Sequence, residues 1–179
     1  MMYLVESPVR TVDPKTAFEE MFRAHFLAVR TYVRRAWSSL EGDDIVSKTF
    51  EIAWRRIDDV PTNALRGWLI GIARNCALNE LRATRRRADH LAALRSERIR
   101  QTAELFDEGI SSDTLAAVRV AMGALRPSDQ EVLLLAAWGG LSGDDLGVAL
   151  GISGATAAVR LFRARERLRS AYSAAGGAS

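Results

Sequence analysis

The chain has 179 residues, 48% of them hydrophobic, and a formal net charge of +3, which is enough for one or two domains with apolar cores. Its single cysteine excludes a disulfide framework and a thiolate metal cluster, and its two histidines lack neighbouring ligand residues, so no metal and no cofactor are expected. The start of the sequence has no apolar signal core and no segment approaches membrane-spanning length, which predicts a cytoplasmic protein without membrane insertion.

Helical patterns dominate the first half of the chain. Strand-like alternation is hard to find, and Ala, Leu, Arg and Glu are frequent, which predicts an all-α fold. Apolar residues at three- and four-residue steps predict an amphipathic helix over residues 14–37. A second helix is expected over about 43–57 and a long third helix over about 68–87, after a loop. Three such helices can bury one another's apolar stripes as a compact bundle.

An acidic segment separates the two halves. Residues 88–113 sum to a charge of about −3 and end in turn residues, so they are interpreted as a linker. The halves are then expected to be two helical domains, at residues 14–87 and 114–172. The second domain is predicted to contain four helices, at about 114–124, 128–138, 142–150 and 153–171.

Two serines predict where the last two helices begin. Ser142, followed by Asp145, fits a capping box, and Ser153 is a good N-cap for the final helix. The last six residues, AAGGAS, are expected to fray.

Positive charge concentrates near the end of each half. Residues 61–87 sum to about +5, and residues 151–170 to about +4 with five arginines. Two basic segments on either side of an acidic one are typical of two contacts with a polyanion, most simply nucleic acid. On charge alone, solubilising surface is the alternative.

The last two predicted helices have the spacing of a helix-turn-helix, whose second helix enters a DNA major groove. At about 100° per residue, the final helix should turn one face inward. That inward face consists of Ala157, Leu161, Ala164 and Leu168. The opposite face carries Ala155, Val159, Phe162, Arg163 and Glu166. The arginines beside it suit phosphates, which fix register without reading sequence; an ordinary amphipathic helix that covers a neighbour with Phe162 is the alternative.

Two faces in the first half also have the composition of binding surfaces. On the long third helix, one side carries Trp68, Ile72, Asn75, Asn79, Arg82 and Arg86. Asparagines can bind base edges while arginines hold phosphates, although Trp68 and Ile72 can equally belong to the core. On the second helix, one face carries Asp44, Lys48, Glu51 and Arg55, which either pair with one another or bind a partner.

Three segments resemble a known family. "VLLLAAWGGLSGDDLGVALGISGATAAVRLFRARERLR" is similar to region 4 of the extracytoplasmic-function sigma factors of bacterial RNA polymerase. "DDIVSKTFEIAWRRID" and "RGWLIGIARNCALNELRATRRR" resemble region 2 of the same family. The segments occur in family order and, with the linker, cover most of residues 14–172.

The resemblance implies a promoter-specificity subunit that is not an enzyme, because the polymerase supplies the bond-making chemistry. Region 2 is expected to bind the β′ clamp helices and to recognise and help open the −10 element. Region 4 is expected to bind the β flap and the −35 element. An anti-sigma factor is a further partner that members of this family often have, and the apolar Val159 and Phe162 can serve such a partner instead of DNA.

Each expected contact is assigned to residues of this sequence. The −10 candidates are Asn75, Asn79, Arg82, Arg85, Arg86 and Trp68. The −35 candidates are Ser153, Thr156, Val159, Arg160, Phe162, Arg163 and Arg167. The candidates for binding core polymerase are Asp43, Asp44, Ser47, Lys48, Glu51 and Arg55.

The sequence departs from the family pattern at positions that bear on recognition. The Gln-Glu pair common in region 2 is here Ser47-Lys48, and the frequent Lys and His of the recognition helix are Ala158 and Phe162. Reading of the −35 element is therefore expected to be relaxed or retuned, and the promoter sequence cannot be transferred from the family.

Two other functions fit the sequence less well. A stand-alone helix-turn-helix regulator with an N-terminal dimerisation or sensing domain explains the second half but leaves the basic third helix unexplained. A helical enzyme lacks a recognisable nucleophile–base pair, metal cluster or phosphate-binding glycine loop in this sequence.

Overall fold

The computed structural model describes residues 13–37, 40–88 and 112–176. Within these ranges the chain is helical, with no strand, which confirms the all-α prediction. The helices are α1 (Pro14–Ala36), α2 (Gly42–Arg55), a 3-10 turn (Ile57–Asp59), α3 (Leu65–Ala88), α4 (Ser112–Ala124), α5 (Pro127–Ala137), α6 (Gly143–Leu150) and α7 (Gly154–Ala174).

Local signals account for where the helices of the first half begin. Asp13 caps α1 by accepting a hydrogen bond from the Thr16 amide at 3.2 Å, and Pro14 occupies the first turn, where its missing N–H costs least. Helix α3 begins at Leu65, earlier than predicted. Ala64, just before it, has a left-handed φ of 62°, and its carbonyl accepts a hydrogen bond from the Trp68 amide at 3.0 Å.

Helices α1, α2 and α3 form the first lobe, as the bundle prediction required. Val33, Ala53 and Leu69 are fully buried where the three helices meet. Phe22 and Phe50 pack edge to face, with ring centroids 4.7 Å apart, between α1 and α2. The lobe is therefore held by apolar and aromatic packing.

Helices α4 to α7 form the second lobe, and α6 and α7 make the predicted helix-turn-helix. They are bent by 94° at the break between them, within the usual range for this motif. The turn passes through Gly151, whose φ of 69° is left-handed and strongly favours glycine. No single helix in the described ranges is both long and apolar enough to span a membrane; α6 and α7 meet that test only when the bent pair is taken together.

Of the two predicted serine caps, one forms and the other does not. Ser153 accepts a hydrogen bond from the Thr156 amide at 3.2 Å, which confirms its predicted role at α7. The predicted capping box at α6 is wrong, because Ser142 makes no side-chain cap hydrogen bond. The Asp145 carboxylate instead accepts from the Gly67 amide of α3 at 2.8 Å.

The two lobes touch, and their buried residues form one continuous cluster. The proposed domain limits at residues 87 and 114 stay a prediction. Most of the predicted linker at 88–113, part of the frayed tail and the side chain of Arg85 lie outside what the structure describes, although α4 begins within the linker at Ser112.

The buried core should dominate the stability of the first lobe. Leu69 is fully buried and Leu27 is 71% exposed. Replacing each leucine by alanine makes the same chemical change, so the difference between the two variants reports the effect of burial. Leu69→Ala is expected to lower the free energy of unfolding by about 2–5 kcal/mol, and Leu27→Ala by about 0.5 kcal/mol or less. Urea denaturation followed by circular dichroism measures both; equal losses would contradict this packing.

Candidate nucleic-acid interface

Helix α7 presents the face that its periodicity predicted. Ala157 and Ala164 are fully buried and Leu161 nearly so, because they pack against the rest of the second lobe. On the opposite side Val159 is 50% exposed and Phe162 is 65% exposed. Ala155, Arg163 and Glu166 are exposed there as well. The described part of the first lobe leaves this face accessible.

The arginines of α7 lie on both sides of that exposed face. Arg160 and Arg167 line one flank. With Arg163 of the exposed face, Ser128 and Asp129, they surround a cavity of about 290 Å³. The other flank carries Arg165 and Arg169, and Arg169 is hydrogen-bonded to Glu166. Cations on both flanks of an exposed helix suit the two phosphate backbones that border a groove.

Arg167 has a partner within the protein. Its Nη1 donates to both carboxylate oxygens of Asp129, at 2.8 and 2.9 Å. The Asp129 side chain is only 11% exposed and lies in the first turn of α5, whereas the Arg167 side chain is 48% exposed. The contact therefore holds Arg167 in position while part of its guanidinium faces outward.

At the start of α7, Ser153 and Thr156 engage each other. Their hydroxyl oxygens are 2.8 Å apart, and both residues are exposed. The cap orders the end of α7 that leads into the groove in a helix-turn-helix. Both residues are thus accessible, as a −35 contact requires, and both also stabilise the helix.

The polar face of α3 is exposed along the part of the helix that follows its partly apolar first turns. Asn75 and Asn79 are exposed, and their side-chain oxygens accept from Arg74 at 3.2 Å and from Arg82 at 3.1 Å. Their side-chain amide nitrogens can still donate hydrogen bonds. Arg82 and Arg86 are exposed too.

The first turns of the same face belong partly to the core. Ile72 is 8% exposed and packs in the core. Trp68 is half-buried against the core, and the Arg56 guanidinium lies 5.9 Å from its ring centroid. The core alternative raised for Trp68 therefore holds in part, and its contact with DNA stays a prediction.

All six core-polymerase candidates on α2 are exposed, and several form ion pairs. Glu51 pairs with Arg55 within the helix, while Lys48 reaches Glu80 of α3 at 3.6 Å. Asp43 lies 3.6 Å from Arg30 of α1. Exposed pairs of this kind contribute little to stability, so these side chains can exchange partners at low cost.

A cleft of about 470 Å³ joins this α2 surface to the α3 face, and Cys76 lies inside it. Burial raises the pKa of the Cys76 thiol, with Lys48 opposing, so the thiol stays protonated at neutral pH. A protonated thiol is a poor nucleophile. Among the described residues, no group of three or more His, Cys, Asp or Glu is placed to hold a metal ion.

The sequence matches two family models. Residues 21–87 match sigma-70 region 2, and residues 115–168 match sigma-70 region 4. The ECF RNA polymerase sigma factor SigE of Mycolicibacterium smegmatis is 28% identical over 157 residues, which are 86% of this chain and 60% of SigE. The chain thus spans less than two thirds of the length of SigE.

Two further proteins are similar to the chain in sequence or structure. The RNA polymerase sigma factor CnrH of Cupriavidus metallidurans is 30% identical over 161 residues, 85% of this chain and 84% of CnrH. Its structure in complex with the cytosolic domain of CnrY superposes with a TM-score of 0.57 over 89% of this chain and 90% of that one. RpoE of Bartonella quintana, solved with the anti-sigma factor NepR, has a TM-score of 0.56 at 22% identity, covering 86% and 95% of the two chains.

The difference between the two serine caps can be measured. Ser153→Ala removes a side-chain cap hydrogen bond and is expected to cost about 0.5–2 kcal/mol of stability. Ser142→Ala removes none and should cost clearly less. Thermal unfolding of the two variants beside the unsubstituted chain gives the comparison; a larger loss from Ser142→Ala would show that the α6 cap forms after all.

Proposed function

Because the chain belongs to the extracytoplasmic-function sigma factors, which direct RNA polymerase to initiate transcription at promoters, we propose that its two lobes contact promoter DNA at separate places while bound to core polymerase. The first lobe acts at the −10 element and the second at the −35 element. The chain itself performs no bond-making step, and it works in the cytoplasm, where bacterial polymerase and chromosome are.

The observation that carries the proposal is the exposed face of α7 between two flanks of arginines. A helix that follows its partner at 94° and leaves such a face open has the geometry for a major groove. Arg163 can bind a guanine edge bidentately, while Val159 and Phe162 can contact thymine methyl groups. Arg160, Arg165 and Arg167 then bind phosphates, and Ser153 and Thr156 order the leading end of the helix.

At the −10 element we assign recognition to the exposed face of α3. Asn75 and Asn79 offer amide donors to bases, and Arg82, Arg85 and Arg86 offer charge to the backbone. Trp68 sits where this face meets the loop before α3, close to Arg56. Taking a base out of the stack costs a few kcal/mol, which contacts of this kind must offset.

We propose that an exposed stripe on α2 binds the β′ clamp helices of core polymerase. The second lobe binds the β flap. The stripe is Asp43, Asp44, Ser47, Lys48, Glu51 and Arg55. Two observations support this assignment to α2. Every residue of the stripe is exposed, and its ion pairs are exposed too, so these side chains can pair with a partner protein instead. An anti-sigma factor is a further proposed partner, since RpoE of Bartonella quintana was solved with one.

Reconstituted transcription tests the function as a whole. The purified chain is added to core RNA polymerase from the same bacterium, with a library of its genomic fragments as template, and initiated transcripts are sequenced. We expect start sites that share two upstream elements and vanish without the chain. A chain that binds DNA equally well alone and never joins core polymerase would instead be a stand-alone regulator.

Two arginine substitutions separate base reading from phosphate binding. Arg163→Ala should relax the preference at one base pair of the −35 element, at a cost of about 1–3 kcal/mol on the preferred sequence. Arg165→Ala, on the far flank, should weaken all sequences about equally and reduce the salt slope by about one. Selection from randomised duplexes at several salt concentrations measures both effects. Equal loss of preference in both variants would contradict the phase of α7.

A further inference from the structure

The arginine-lined cavity of the second lobe contains one buried acid. Helix α7 supplies Arg160, Arg163 and Arg167 to this cavity, and the start of α5 supplies Ser128 and Asp129. Asp129 is buried, whereas Ser128 and the three arginines are exposed. An anion that enters the cavity therefore meets several cations and a hydroxyl group at the surface, and a carboxylate below it.

The ion pair with Asp129 occupies only one end of the Arg167 guanidinium. Nη1 donates to both carboxylate oxygens, at 2.8 and 2.9 Å, and these bonds use both of its N–H groups. The N–H groups on Nε and Nη2 have no hydrogen-bond partner among the described residues. Because 48% of the side chain is exposed, these donors are open to a ligand.

The donors that remain suit a phosphate. Nε and Nη2 form one edge of the planar guanidinium, and arginine binds phosphate bidentately through parallel N–H groups of this kind. A phosphate can therefore bind this edge while Nη1 stays on Asp129. The two ligands do not compete for the same donors.

Burial makes Asp129 a fixed anchor for this geometry. Its carboxylate lies in the first turn of α5, where the helix dipole favours a negative charge, and its side chain is 11% exposed. A free arginine side chain loses much of its rotamer freedom when it binds, which reduces affinity. An arginine that is already held on a fixed carboxylate loses less.

We propose that Asp129 is a positioning residue for promoter binding, which holds Arg167 so that Nε and Nη2 grip one backbone phosphate at this cavity. This rests on the proposed function of the second lobe at the −35 element. The carboxylate thereby raises the affinity of the cationic face for DNA, although its own charge opposes binding.

Two other roles for the pair predict different results. If Asp129 only neutralises Arg167, removing the carboxylate leaves one more net positive charge and strengthens DNA binding. If the pair only ties α5 to α7, removing the carboxylate lowers stability and affects DNA binding equally with or without the arginine. The positioning role alone predicts a loss of affinity that requires Arg167.

A double-mutant cycle separates these roles. Asp129→Asn removes the charge and keeps the size of the side chain, Arg167→Gln removes the guanidinium, and a third variant combines the two. Any effect of Asp129→Asn on α5 itself is present in both backgrounds and cancels in the cycle. Glu19→Gln, which removes the same charge from an exposed pair on α1, is the matched control.

The first measurement is the affinity of the complex with core RNA polymerase for promoter duplexes, by fluorescence anisotropy at several salt concentrations. We expect Asp129→Asn to weaken binding about three- to tenfold and to reduce the salt slope by up to about one, as Arg167→Gln does. Sequence preference should not change, because phosphate contacts do not read bases. The double variant should match Arg167→Gln, and the control should match the parent.

Arg167→Lys tests the shape of the group at constant charge. Lysine keeps the positive charge but replaces the planar fork by one ammonium group. Paired with Asp129, it offers no second edge to a phosphate, so we expect it to weaken binding at least about threefold.

The second measurement concerns the free chain and does not depend on DNA. Hydrogen bonds to both oxygens of Asp129 slow rotation of the Arg167 guanidinium about its Nε–Cζ bond. Nitrogen-15 spectra of the arginine side chains should therefore show separate Nη1 and Nη2 signals for Arg167. These signals should merge in Asp129→Asn, while thermal unfolding checks that each variant is folded.

Several results would overturn the positioning role. Merged Nη signals in the parent would show that Arg167 is not held. Stronger DNA binding by Asp129→Asn would show neutralisation, an equal loss with and without Arg167 would show an effect on the fold alone, and parental affinity in Arg167→Lys would show that charge suffices. If the parent forms no complex with core polymerase or the complex binds no promoter, the proposed function fails and this role fails with it, while the spectra still report whether Arg167 is held.

Discussion

The constraint on which the rest depends is the burial of one face of α7. Ala157, Leu161 and Ala164 can leave water only by packing on the other helices of the second lobe, and this fixes the rotation of α7 about its axis. The five arginines then have to emerge beside an exposed strip, with Phe162 at its surface. Apolar packing thus determines where the charge lies, and the charge decides what the helix can bind.

Features set by local periodicity were predictable from the sequence, whereas contacts between distant segments were not. Most helix limits, although not the start of α3, and the exposed side of α7 followed from local sequence patterns. Asp145 is an example. Its position in the sequence favours a local helix cap, but its carboxylate accepts a hydrogen bond from the amide of Gly67, 78 residues away. Arg167 with Asp129 and Arg74 with Glu131 are of the same kind, at separations of 38 and 57 residues, and no pattern within one helix indicates them.

The candidate surfaces are accessible even though the lobes touch. Asn75 and Asn79 on α3, the stripe on α2 and the exposed side of α7 all face outward. Among the described residues the lobes meet elsewhere, through small residues such as Gly67 and Gly71 and through the Arg74–Glu131 ion pair. The residues assigned to binding and the residues through which the lobes touch are therefore different residues.

That separation has an evolutionary consequence. Gly71 meets Ala149 so closely that even one methyl group would crowd the crossing of the two helices. A single missense change there can weaken the association of the lobes while every side chain assigned to promoter or polymerase stays as it was.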